Sequence, residues 1–187
     1  MSGRAGPLAA LVESPVIGRF DEWADAQLEA LRGIPLADRI AATASTLGDW
    51  SLVWHLVGAL RGLTSDRAAR QAIELSALLG VESLIVNQGI KRLFRRERPL
   101  PGGDPRYAQR TPSTSSFPSG HASAAFFAAR LLSGYSPRRA ALWYTIALVV
   151  AASRPFVRIH HASDAIVGAL IGSALAGAAQ RALHRAE

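Results

Sequence analysis

The twelve residues from Ser153 to Asp164, SRPFVRIHHASD, join two apolar segments and set the strictest condition on how this chain can fold. Two arginines, two histidines and an aspartate at the edge of greasy sequence are costly unless they have partners or a task. His160 and Asp164 stand four apart. A helix opening at Ala162 and Ser163 would put them on one face, where the carboxylate can hold the imidazole through its Nδ1 proton. The other ring nitrogen is then free to attack. Arg154 and Arg158 add donors and positive charge that suit an anionic group such as phosphate.

The flanking segments decide the fold class. Apolar residues make up 49% of the chain and charged ones 19%, greasier than an ordinary soluble domain. Candidate spans run over Ile40 to Leu60, Ala68 to Ile90, His121 to Gly134, Arg138 to Ser153 and Asp164 to Leu183. Those lengths approach a bilayer core of about 30 Å. The first two carry Asp49, Trp54, His55, Glu74, Glu82 and Asn87, which must face a bundle interior; a soluble helical protein would explain these two equally well. Pro155 should stop its helix at or before Arg154. Gly168, Gly172 and Gly177 should let neighbouring helices approach closely.

Upstream, Phe20, Trp23, Ala24, Leu28 and Leu31 fall at helical spacing opposite Asp21, Glu22, Asp25 and Glu29. This amphipathic helix has an acidic polar face, so it packs on the chain's own basic loops or lies on lipid. Gly33 and Pro35 end it. The expected fold is all-α: a multi-pass transmembrane helical bundle of about five spanning helices plus the N-terminal amphipathic helix. It forms a single membrane-embedded domain over 1–187, with residues 1–39 as the N-terminal segment and 40–183 as the bundle. The short apolar run from Leu8 to Val12, broken by Glu13 and Pro15, does not read as a cleaved signal. Ser2 stands where a myristoylated chain needs glycine.

The chain has no cysteine, which removes disulfides, thiolate metal sites and cysteine nucleophiles together. The net charge is +7, and Lys91 is the one lysine among 21 lysines and arginines. A compact ammonium is therefore called for there, or the exception is chance. Lys91 opens a long polar connection to Pro118, too long for an idle loop in a compact domain. It contains KRLFRRERP and ends in PSGH, a helix start whose exposed N–H groups favour an anion. With the helices alternating in direction, this loop and the SRPFVRIHHASD loop emerge on one side and can meet.

Three blocks, KRLFRRERP (Lys91 to Pro99), PSGH (Pro118 to His121) and SRPFVRIHHASD (Ser153 to Asp164), match the patterns K-x6-RP, PSGH and SR-x5-H-x3-D in order. Each alone is weak; together they are specific. On these blocks the chain resembles the type 2 phosphatidic acid phosphatase superfamily, membrane lipid phosphatases that share an active site with vanadium haloperoxidases and bacterial class A acid phosphatases. The resemblance implies His160 as nucleophile, Asp164 as the group that orients it, and His121 as acid and then base. It also implies Lys91, Arg98, Ser119, the Gly120 amide and Arg154 as holders of the phosphate oxygens. No metal or other cofactor is implied.

The implied partners are a lipid phosphate and the bilayer of a bacterial cell membrane, with no nucleic acid; the active site lies near one membrane surface. A polyprenyl phosphate, including a polyprenyl phosphoribose phosphate or undecaprenyl pyrophosphate, is slightly favoured over phosphatidic acid or phosphatidylglycerol phosphate. Pro155 and a five-span count depart from the commoner family pattern. A zinc hydrolase built on His121, His160, His161 and Asp164 is the first rival, and the surrounding cations oppose it. A non-catalytic protein that docks acidic lipid through its basic loop is the second. His161, His55 and His184 are read as bystander, structural or surface residues. Glu82, Asp49 and Asn87 line a headgroup path or, more readily, make interior helix contacts.

Overall fold

A computed structural model describes residues 12–186, which are helical with no strand among them. The stretch read for a signal or lipid anchor lies largely outside the described residues. Helix α1 spans Pro15–Glu29 and α2 spans Pro35–Gly48, each opened by a proline in its first turn, where a missing N–H costs nothing. Next come α3 (Leu52–Gly62), α4 (Asp66–Ser83), α5 (Gly120–Tyr135), α6 (Ala140–Phe156) and α7 (Ala162–Ala186).

Helix α4 runs on through a π-helical stretch, Leu84–Gly89, and a 3-10 turn, Ile90–Leu93. Among the described residues, two helices are long and apolar enough to cross a membrane: Asp66–Leu93 and Ala162–Arg185. The segment from Ile40 to Leu60 is not the single span its composition suggested. It breaks at a 3-10 turn, Asp49–Ser51, where Trp50 and Ser51 both have positive φ (54° and 58°). Two adjacent non-glycine residues in that region cannot continue a right-handed helix.

Helix α5 is the centre of the bundle and packs on both α6 and α7. Its core residues Ala124, Ala125, Phe127, Ala128, Leu131 and Leu132 are buried, most of them completely. The small residues of α7 do what their spacing suggested. A Cβ on Gly168 or Gly172 would strike the carbonyl oxygens of Ser119 and Ser123, so α5 and α7 touch backbone to backbone. This contact brings the start of α5 beside the start of α7, and the Ser119 N–H donates to the Asp164 carbonyl at 3.0 Å.

The last turn of α6 departs from expectation. Pro155 lies inside the helix, which continues to Phe156. A proline this near the end removes one backbone donor, and the following turn still closes, with Val157 N–H on the Ser153 carbonyl at 3.0 Å. Arg158, with φ of 55°, then ends the turn.

The acidic face of α1 packs on the protein's own basic loops. Asp25 pairs with Arg32 and Arg158, and Glu29 with Arg32, Arg106 and Arg158. Burial alone would raise the Asp25 carboxyl, but its bonds from Arg158 and Arg32 hold it below the usual range. The opposite face carries Val16, Phe20 and Trp23, all exposed. The helix thus turns its charge inward and its apolar side outward, the reverse of a helix on a soluble protein.

Candidate active site

The long loop from Phe94 to Ser119 closes over the starts of α5 and α7. Arg98 anchors it through three carbonyls: Pro112 (3.1 Å), Thr114 (3.0 Å) and Ile159 (2.7 Å). The same guanidinium reaches His160 Nε2 at 3.4 Å. Loop 94–119 and loop 157–161 therefore meet at one arginine, as their common side of the bundle required.

His160 is 2% exposed, in the turn between α6 and α7. Its Nδ1 faces Asp164 Oδ2 at 3.6 Å, longer than a hydrogen bond. Burial holds the imidazole well below its usual pKa, and Lys91 and Arg154 push the same way against the opposing Asp164. The ring is neutral at physiological pH, with a lone pair for attack.

Asp164 sits fully buried in the first turn of α7. Its Oδ2 accepts the His161 backbone N–H at 2.9 Å, and its Oδ1 pairs with Arg96 at 2.6 Å. His161 thus serves through its amide, while its ring lies toward the Glu97 carbonyl at 3.3 Å.

Arg154 is 1% exposed. Its Nη1 donates to the Ser45 hydroxyl, while its Nε and Nη2 are buried with no partner among the described residues. Orphaned buried donors are rare and costly, and on a guanidinium they point to an anionic ligand. Lys91, buried in the 3-10 turn after the π-helical stretch, makes no ion pair among the described residues. Lys91 and Arg154 act electrostatically on both His121 and His160, so the two cations and two imidazoles occupy one locality. π-Helical turns are frequent at functional sites, and this one sets where Lys91 emerges.

At the start of α5, the Ser119 hydroxyl accepts the Ala122 N–H at 3.4 Å as an N-cap, which leaves its own proton to donate. Gly120 is the first helical residue, and its N–H belongs to the unpaired first turn. A Cβ there would meet Asn87 Oδ1 at 2.6 Å, so a larger residue would have to displace the Asn87 side chain. His121 Nε2 lies 2.9 Å from Asp49 Oδ1. Gly48 makes room for this pair, since a Cβ on it would lie 2.6 Å from the His121 ring.

Three residues important to the site were missed or misread in the sequence. Asp49 read as lining a headgroup path or making an interior helix contact, and its pairing with His121 was missed, because a broken helix cannot be seen in composition. Arg96 passed as one more charge in KRLFRRERP; it bridges Asp164 and Asp21, both at 2.6 Å. Asp21, 6% exposed, also accepts the Ser163 N–H at 2.8 Å. Only its place on an acidic helix face hinted at a basic partner. Arg158 is corrected in the other direction. It belongs to the α1 clasp, pairing with Asp25 and Glu29, rather than to an anion site. Among the described residues, no three His, Asp or Glu gather as a metal-binding cluster.

Arg96→Met should leave two buried carboxylates without their shared partner, at a cost of about 3 kcal/mol or more. The expected result is a clear fall in the melting temperature of the detergent-solubilised protein. An unchanged melting temperature would mean that α1 does not depend on the bridge.

Two imidazoles, His160 buried and His121 half-buried, each beside a carboxylate and surrounded by arginines and a lysine at one end of an apolar helical bundle, define a class: enzymes that hydrolyse phosphoric esters of membrane lipids. The model of the PAP2 superfamily matches residues 72–186, and the chain belongs to that superfamily. It is 33% identical over 152 residues to decaprenylphosphoryl-5-phosphoribose phosphatase of Mycobacterium tuberculosis, in strains CDC 1551 / Oshkosh and ATCC 25618 / H37Rv. That match covers 75% of this chain and 81% of the relative. The crystal structure of the first transmembrane PAP2 type phosphatidylglycerolphosphate phosphatase from Bacillus subtilis superposes with a TM-score of 0.73. It is 21% identical, covering 96% of this chain and 92% of that one. The protein is a membrane-associated phosphoric ester hydrolase.

Proposed function

We propose that the enzyme removes a phosphate from a polyprenyl-type lipid in a bacterial cell membrane, by way of a phosphohistidine on His160. The observation that carries this reading is Arg154, buried with two unpartnered nitrogens beside both histidines. Such a group is costly to bury without acceptors, and an anion supplies them best. Lys91, Arg98, the Ser119 hydroxyl and the Gly120 amide complete the cradle for the three equatorial oxygens.

His160 Nε2 attacks phosphorus in line, an N–P bond forms and the P–O bond to the lipid alcohol breaks. His121 gives that oxygen its proton. A water then loses a proton to His121 and attacks phosphorus, and the N–P bond breaks to release phosphate. Asp164 keeps the His160 ring turned for attack.

The relatives named for decaprenylphosphoryl-5-phosphoribose hydrolysis support the polyprenyl class. Phosphatidic acid or phosphatidylglycerol phosphate is the alternative. The bundle crosses the bilayer several times, with the cradle near one surface.

Release of phosphate from a panel of polyprenyl and glycerolipid phosphates, in EDTA and with or without vanadate, tests the reading. Turnover should survive the chelator, stop with vanadate and be fastest on a polyprenyl phosphate. Loss of turnover in EDTA that zinc restores would favour a metal hydrolase. Exclusive cleavage of glycerolipid phosphates would overturn the substrate class.

A further inference from the structure

We infer that a groove on the flank of the bundle, between α2 and α6, holds the hydrocarbon chain of the substrate beside the phosphate cradle. The inference rests on the lipid-phosphatase reading above. The groove has a volume of about 420 Å³, within the size range of small-molecule sites. Ile40, Ala44 and Leu47 line it from α2, and Ile146, Val149 and Val150 from α6.

The groove and the site share a wall. Ala44 precedes Ser45, whose hydroxyl holds Arg154. Leu47 precedes Gly48, where a Cβ would lie 3.1 Å from Val150 on the groove side and 2.6 Å from the His121 ring on the other. Val150 is four residues, about one helical turn, before Arg154. A chain lying in the groove therefore reaches the two residues expected to hold and protonate its head within one turn of helix.

The polarity of the groove fits the same occupant. Its lining is aliphatic apart from Thr43, Thr145 and Arg39. Arg39 lies two residues from Ala41, which packs against Phe156, Val157 and Ile159 at the level of the catalytic turn. An apolar channel whose one charge is a cation matches the chain of an anionic lipid. Bulk lipid on an outer surface would require neither the concavity nor the shared wall. A groove bounded by two helices takes one chain, which favours a single polyprenyl tail over the paired chains of a diacylglycerol.

Val149→Trp and Ile40→Trp fill the groove from opposite walls. Both residues are already 37% and 50% exposed, so the larger side chains need no rebuilt core. Leu148→Trp, on the same helix but outside the groove and 61% exposed, is the control. The full chain in detergent micelles is assayed on farnesyl phosphate and on water-soluble p-nitrophenyl phosphate.

Chain contacts are made equally in the ground and transition states, so their loss falls on KM. Both groove variants should lose about tenfold or more in kcat/KM on farnesyl phosphate, chiefly through KM, and stay within about twofold on p-nitrophenyl phosphate. The control should match the wild type on both. An unchanged farnesyl phosphate KM in both variants, or equal loss on the two substrates, would overturn the groove. A wild-type enzyme that releases phosphate from neither substrate would overturn the proposed function and this inference with it.

Discussion

His160→Ala should abolish phosphate release, with kcat falling by roughly 10,000-fold or more, the scale on which removal of an enzyme nucleophile is felt. The turn from Val157 to His161 presents only one imidazole to the cradle. His161 cannot stand in, because its ring lies toward the Glu97 carbonyl and its amide is tied to Asp164. His160 is buried and neutral, so its attacking form persists well below the pH at which a free histidine protonates.

The fold should tolerate the change, since the ring's Nδ1 is itself a buried atom without a hydrogen bond. Rapid quench with a radiolabelled lipid phosphate reads the step directly. Wild type should show an acid-labile phosphoenzyme that the variant lacks. Labelled phosphoenzyme formed by the variant would place the nucleophile elsewhere.

Asp49→Asn should lower kcat by about 100-fold, the low end for general acid–base groups, and leave KM within about twofold. Asp49 Oδ1 stands 2.9 Å from His121 Nε2, held there by a turn with two positive-φ residues in succession. Strain of that kind persists where the surrounding structure requires it, commonly at functional sites. Trp50, one of the two, is 80% exposed, and its ring lies 5.0 Å from the Arg110 guanidinium, which ties the turn to the long loop.

In the proposed mechanism a carboxylate at this place would steady the imidazolium formed when His121 takes a proton from water. Asparagine keeps the shape and loses the charge, whereas Asp49→Glu should recover part of the rate. A faster Asp49→Asn enzyme would show instead that the carboxylate only occupies the place of the leaving oxygen.

The proposed cradle could be read from the chain because its chemistry would be carried by residue types that apolar sequence does not otherwise tolerate. Lys91, Arg98, His121, Arg154, His160 and Asp164 each stand at a fixed place in a short block. Helix periodicity then put the blocks on one side of the bundle. The acidic face of α1 was legible too, but not its partners. Whether Asp21 met lipid headgroups or Arg96 depended on where the 94–119 loop travelled, and nothing local in KRLFRRERP distinguishes Arg96 from its neighbours.

The break at Asp49–Ser51 was hidden for a similar reason. DWS carries no glycine or proline, so nothing local announces the left-handed angles of Trp50 and Ser51.

The order of residues alone determined the class of reaction and the helical architecture, and singled out the groups proposed to hold phosphate, because those depend on residue type and spacing along one chain. Only the folded bundle decided which carboxylate accompanies which imidazole, that Arg158 clasps α1, and that Arg154 keeps two donors in reserve. Each of those is a meeting of residues far apart in sequence, which residue type and spacing along one chain do not encode.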